Sequence, residues 1–138
     1  MNETFVLDAS ALIAFFMDES GADTVETVLQ KARMEECVVY MNKVNVLEIY
    51  YGVYRDDGKD KAEEVLAKIY DLPVNIVDGL ADEVFKEAGR LKAEYKVSLA
   101  DSIALAEAKT RKAGILTADH HEFDILEQKG ELIFNWIR

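Results

Sequence analysis

Five short runs rich in β-branched and aromatic residues punctuate the chain, at positions 4–7, 38–41, 74–77, 115–117 and 132–137. Their length and composition are those of buried strands. Between them apolar residues recur every three or four positions, which predicts helices over 11–16, 24–32, 44–54, 61–69, 82–95 and 99–112. Strands that alternate with helices need crossover connections, so the pattern predicts a parallel sheet covered on both faces. Pro73, Gly58, Gly79, Gly114 and Gly130 fall at element boundaries, and Gly114 follows Lys109, Arg111 and Lys112 as a helix stop. With no repeat, linker or low-complexity tract, residues 1–138 read as a single domain. Trp136 is expected to pack in the sheet edge or core rather than stack on a base.

Composition narrows the function classes. Half of the 138 residues are hydrophobic and 31% are charged, a balance that favours a folded core over disorder. No apolar run approaches the ~20 residues of a membrane span, and Met1-Asn2-Glu3-Thr4 lacks the basic start of a signal peptide, so a soluble cytoplasmic protein is expected. Cys37 is the only cysteine, which excludes an internal disulfide and a thiolate metal cluster from one chain. The formal charge of −11 speaks against gripping nucleic acid through a broad basic surface. It leaves room for a nuclease that holds its substrate through bound cations and a few local side chains, for which Lys43, Arg55, Lys59 and Arg111 are candidates.

Four acidic residues do not fit a solvated face. Asp8 interrupts the otherwise apolar Phe5-Val6-Leu7-Asp8-Ala9-Ser10-Ala11-Leu12, where a strand hands over to a helix. Ligand sites in open α/β sheets form outside such strand ends, although a plain helix cap reads equally well there. Glu48 has Val44, Tyr51 and Gly52 as its helical neighbours, an apolar face that is costly for a carboxylate without a metal or a partner such as Lys43 or Arg55. Asp101 lies in Ser98-Leu99-Ala100-Asp101, a capping pattern, yet Ala104 and Leu105 place it on the packed side. Asp119 follows the strand-like Ile115-Leu116-Thr117-Ala118 and repeats the position of Asp8. One shared mouth of a parallel sheet accounts for all four better than four unrelated caps.

Several carboxylates with no intervening Lys or Arg cannot all ionise at close range unless a cation is present. An all-oxygen donor set selects Mg²⁺ or Mn²⁺, with positions left for water and a phosphate oxygen. Such a site suits in-line displacement at a phosphodiester. Gly52-Val53-Tyr54-Arg55-Asp56-Asp57-Gly58-Lys59 is a near miss to a phosphate-binding loop, with five residues between its glycines and Asp60 in place of Ser or Thr. The adjacent His120 and His121 lack the spacing of a zinc-protease helix and read as ordinary loop residues.

In order and spacing, Val6-Leu7-Asp8-Ala9-Ser10-Ala11-Leu12, Asn45-Val46-Leu47-Glu48-Ile49-Tyr50-Tyr51-Gly52, Ser98-Leu99-Ala100-Asp101-Ser102-Ile103-Ala104 and Leu116-Thr117-Ala118-Asp119 with Phe123 resemble the four motifs of PIN-domain nucleases. The likeness spans nearly the whole chain and is strongest to VapC-like toxins of prokaryotic toxin–antitoxin pairs. It implies an α/β/α sandwich with a mainly parallel sheet of about five strands, and RNA cleavage dependent on Mg²⁺ or Mn²⁺. It further implies that Asp8, Glu48, Asp101 and Asp119 form the catalytic, metal-holding tetrad, that Ser10, Thr117 and Asp124 support it, and that the partners are a second copy of the chain and a small antitoxin protein. A free-standing PIN nuclease of RNA processing would carry the same motifs, as would a catalytically inactive PIN-like module that binds RNA or protein. A phosphoryl-transfer switch also places an aspartate after its first strand, but leaves Glu48 without a role.

Overall fold

The computed structural model describes residues 3–138, in the order β1 (Glu3–Leu7), α1 (Ala9–Phe16), α2 (Ala22–Arg33), β2 (Cys37–Asn42), α3 (Lys43–Asp57), α4 (Lys59–Tyr70), β3 (Asn75–Val77), α5 (Asp82–Glu94), α6 (Leu99–Thr110), β4 (Gly114–Thr117), α7 (His120–Gln128) and β5 (Ile133–Trp136). The five strands form one sheet in the order β3-β2-β1-β4-β5, and every pairing is parallel. The α/β/α architecture with five strands is therefore found as expected, with the sheet wholly rather than mainly parallel.

Period-two alternation in β1 divides the interior. Phe5 and Leu7 point into a core built with α1 to α4, through Leu12, Val25, Val46, Ile49, Val65 and Ile69. Val6 points into a second core with α5 to α7, through Val84, Leu91, Ile103, Leu105, Phe123 and Leu126. Leu116 and Ile115 of β4 split between the two cores in the same way. Both faces of the sheet are thus covered, as the apolar runs require.

Strand order turns these layers into a site. From β1 the chain moves outward to β2 and β3, then returns across the sheet to place β4 on the other side of β1, with β5 beyond it. β1 and β4 therefore flank the point where the winding reverses, and the crevice outside their carboxyl ends is where an open α/β sheet binds ligands.

The remaining departures from the sequence expectations are local. Residues 120–128 form a helix that the pattern does not predict, because only Phe123 and Leu126 in it are buried and two positions set no clear period. His120 and His121 consequently lie in the first turn of α7, not in a loop. Gly21, at the amino end of α2, has φ 96°, and a Cβ there would stand 2.5 Å from the Ile137 carbonyl oxygen, so that close approach to the end of the chain needs glycine.

Candidate metal centre

Asp8 is buried at the end of β1 and caps α1, its Oδ1 accepting from Ala11 N at 2.9 Å and from the Ser10 hydroxyl at 2.7 Å. The Thr117 hydroxyl, at the end of the neighbouring β4, donates to Asp8 Oδ2. Ser10 Oγ also accepts from Ala118 N at 3.0 Å, which ties the two strand ends together. Asp119, two residues beyond Thr117, caps α7 by accepting from Glu122 N at 3.4 Å, while its own N–H donates to Thr117 Oγ1 at 3.0 Å. The capping and the ligand readings of Asp8 and Asp119 are compatible: two caps on adjacent parallel strands open at one place.

The two helical acids arrive from opposite layers. Asn42 caps α3, accepting from Val44 N at 2.9 Å, and its Nδ2 donates to Glu107 Oε1 at 2.9 Å and to Gly79 O at 3.2 Å. Those bonds fix where α3 leaves the sheet. Asn45, fully buried one turn on, donates to Ala100 O at 3.0 Å and so joins the first turn of α3 to that of α6, beside Asp101. Ser98 caps α6 by accepting from Asp101 N at 3.1 Å, and the same turn carries the Asp101 carboxylate.

A fifth acid completes the group. Glu122 stands one helical turn after Asp119, and single carboxylate oxygens of Asp101, Asp119 and Glu122 lie within 4.8 Å of one another. The sequence reading missed Glu122 because the i, i+3 relation has meaning only once residues 120–128 are known to be helical. Asn45, three residues before Glu48, is a second omission, and the same spacing is its signal.

The electrostatics are those of a site short of positive charge. Burial pushes the Asp8 carboxyl up to about 6, against hydrogen bonds from Thr117, Ala11 and Ser10 that lower it, with a further push from the charge of Asp119. Asp101 is raised well above the carboxylate range, by burial first, then by the neighbouring Glu122 carboxylate and the charge of Asp8. Burial also raises Glu48, opposed by the Asn45 side chain and helped by Glu122. Asp8, Glu48 and Asp101 thus each sense the charge of another acid in the group.

Among the described residues, no ion pair reaches any of the five. The cations that could have neutralised Glu48 are engaged elsewhere, Lys43 with Asp78 and Arg55 with Asp56. Arg111 is also removed from the site. It lies ten residues along α6 from Asp101, about 15 Å, bonded to the buried Glu107 and seated on the Tyr40 ring. Asp124 does not join the cluster but accepts from His120 Nδ1 at 3.0 Å on the exposed side of α7.

Two oxygens in the group, Glu48 Oε1 and Glu122 Oε2, are buried without any hydrogen-bond partner. Orphaned carboxylate oxygens in an all-oxygen, cation-free cluster are the donor set that a hard divalent ion satisfies. The residues present fit such an ion.

Known structures share this architecture. The Rickettsia felis VapBC2 complex, bound to a DNA fragment from its promoter, contains a chain that superposes with a TM-score of 0.76 at 16% identity, covering 96% of this chain and 98% of its own. The DNA-bound VapBC of Salmonella typhimurium gives 0.75 at 14% identity, with 100% of both chains covered. Mycobacterium tuberculosis VapC20, a Sarcin-Ricin loop cleaving toxin, gives 0.64 at 13% identity over 88% of this chain and 94% of its own. No curated protein matches the chain in sequence. Identities this low carry the fold alone, but the sequence profile of the PIN domain matches residues 5–128, nearly the full span from β1 to the end of α7. The chain belongs to the PIN domain family.

Proposed function

We propose that this chain is an endoribonuclease that hydrolyses RNA phosphodiester bonds with Mg²⁺ or Mn²⁺, and that it is the toxin of a VapBC-type pair. The observation that carries the nuclease reading is the approach of Asp101, Asp119 and Glu122, electrostatically coupled to Asp8 and Glu48, with no ion-pair partner and two buried, unsatisfied oxygens. A divalent ion bound there would supply Lewis-acid stabilisation of the charge that develops on the phosphate and acidify an attacking water. The protein's part is to hold the donors rigidly. Ser10 and Thr117 orient Asp8, Asn45 steadies Glu48 against α6, and the caps of α6 and α7 aim Asp101 and Glu122 inward.

The toxin reading rests on family likeness together with one surface. A groove of about 420 Å³ includes Glu48 in its lining, with an apolar part at Ala9, Ile13, Phe16, Ile49 and Val53 and charged side chains at Glu19, Arg55, Asp56, Asp57 and Lys61. A small antitoxin could lay an apolar segment there and extend a cation to the acids. A second apolar hollow between α3 and α4, at Val46, Leu47, Leu66 and Tyr70, supports self-association as a homodimer. Among the described residues, no helix is long and apolar enough to cross a membrane. Action on RNA in the cytoplasm is part of the same proposal.

The test is mapping of product ends on structured and unstructured RNA with Mg²⁺, Mn²⁺ or EDTA. Hydrolysis by water leaves 5′-phosphate and 3′-hydroxyl ends and stops in EDTA; cyclic phosphate ends, or full activity in EDTA, refute the mechanism. Glu122→Gln should weaken Mn²⁺ binding about 10–100-fold, the usual effect of losing a group that holds or supports a bound ion. An unchanged Mn²⁺ affinity would remove Glu122 from the site.

A further inference from the structure

An acidic protein that cuts RNA needs a means of holding the strand other than phosphate neutralisation, and an aromatic face provides one that is indifferent to charge. Next to Asp119, the rings of Phe134, Trp136 and His120 lie nearly parallel: Phe134 and Trp136 have centroids 5.1 Å apart at 10°, Trp136 and His120 3.8 Å apart at 15°. His120 ends this run. Its ring is held in plane by polar contacts of Nδ1 with Asp124 Oδ1 at 3.0 Å and of Nε2 with the Arg138 carbonyl oxygen at 2.9 Å. One face is covered by Trp136 and both nitrogens are engaged, yet the side chain remains 46% exposed. The exposure therefore belongs to the opposite face and the carbon edge.

We propose that the outer face of His120 is a stacking subsite for an unpaired nucleobase of the RNA, one that flanks the scissile phosphate. The subsite rests on the ribonuclease reading and adds to it a part of the substrate path. His120 precedes the first turn's acid Glu122 by two residues and follows Asp119 directly, while its side chain points with Asp124 to the other side of α7. A base there lies outside the acidic cluster, on the residue that directly follows Asp119. Because the ring is already immobilised by three contacts, little further ordering is needed on binding. Stacking on a π-face tolerates any base, so the subsite contributes affinity and favours single-stranded or looped RNA without setting sequence.

The test compares His120→Phe with His120→Leu. Neither has ring nitrogens, so both lose the bonds to Asp124 and Arg138, and only Phe keeps a planar aromatic face over Trp136. The probe is a 12-residue oligoadenylate with 2-aminopurine at successive positions, bound to protein carrying Asp101→Asn so that it is not cut; cleavage of the same oligomer is measured with Asp101 intact. Stacking predicts quenching at one position with His120 and with Phe. With Leu the quenching is lost and KM rises about tenfold, within the range of one stacked base, at unchanged kcat. Phe and Leu behaving alike, or neither differing from the parent, overturns the subsite. Native protein that binds and cuts the oligomer without quenching at any position overturns the subsite alone, whereas native protein that neither binds nor cuts RNA overturns the nuclease reading and the subsite together.

Discussion

Replacing Asp8 by Asn separates what the carboxylate does for the fold from what it does for the site. Burial raises this group from 3.8 to about 6, so the folded chain holds the proton more tightly than the unfolded chain does. Below pH ~4 both states are protonated and nothing is lost; as pH rises through ~4 to 6 the metal-free fold is penalised, and above that range the penalty is complete. At ~1.36 kcal/mol per unit it amounts to about 3 kcal/mol. The substituted asparagine is neutral at every pH and retains most of the local bonding. Its carbonyl can accept from Ser10 Oγ and Ala11 N, and its amide can donate to Thr117 Oγ1, whose own proton then turns towards Ser10 Oγ, 3.3 Å away. The cap survives, since Asn caps about as well as Asp. Asp8→Asn should therefore be inactive, yet in EDTA at pH 8 more stable than the parent by roughly 1–3 kcal/mol, or about 3–10 °C in Tm for a chain of this size. At pH 4 the difference should vanish. In Mn²⁺ at ~1,000 times its Kd the order should reverse, because the parent gains about 4.1 kcal/mol from binding. Urea denaturation and thermal melts at the two pH values, each in EDTA and in Mn²⁺, decide the matter. An active mutant, or equal stability at pH 8 in EDTA, refutes the argument.

Further perturbations test the scaffold. Glu131 accepts from Lys109 at 2.6 Å, Tyr95 at 2.6 Å and Arg90 at 2.7 Å, which hold its carboxyl down to about 2. Its stabilisation is present above the ordinary carboxylate pKa and lost as pH falls towards 2. With both cations about a third exposed, Glu131→Gln should cost about 1–2 kcal/mol at pH 7 after allowance for solvent screening, and almost nothing at pH 2, measured by urea unfolding. Glu107→Ala leaves Asn42 and Arg111 without their buried partner and should lower stability by about 2–3 kcal/mol; a loss below about 0.5 kcal/mol would show that the clamp on α3 is dispensable. Gly21→Ala combines a left-handed backbone with a clash against the Ile137 carbonyl, and a loss of about 1–3 kcal/mol in thermal or urea unfolding is expected.

Local pattern in this sequence determines the elements, the faces they bury and the acids that do not belong on those faces. Asp8 is legible because one charge breaks an apolar strand-to-helix run, and Glu48 because its helical neighbours are apolar. Apolar strand runs alternating with amphipathic helical patterns make the parallel, two-faced sheet legible as well. Which strands lie side by side is not written locally. That β1 sits between β2 and β4 brings Thr117 to Asp8 across 109 positions and sets Asp119 alongside, and this order depends on how both cores fill at once. Glu122 needed α7, a helix with too few buried positions to announce itself, and Asp124 was drawn to His120 by the way that helix turned. Asn42 and Glu107 look like unrelated polar residues until packing buries them together and leaves each as the other's partner. Periodicity fixes the direction of a side chain within its own element, whereas a contact between distant residues is decided by the packing of every element between them.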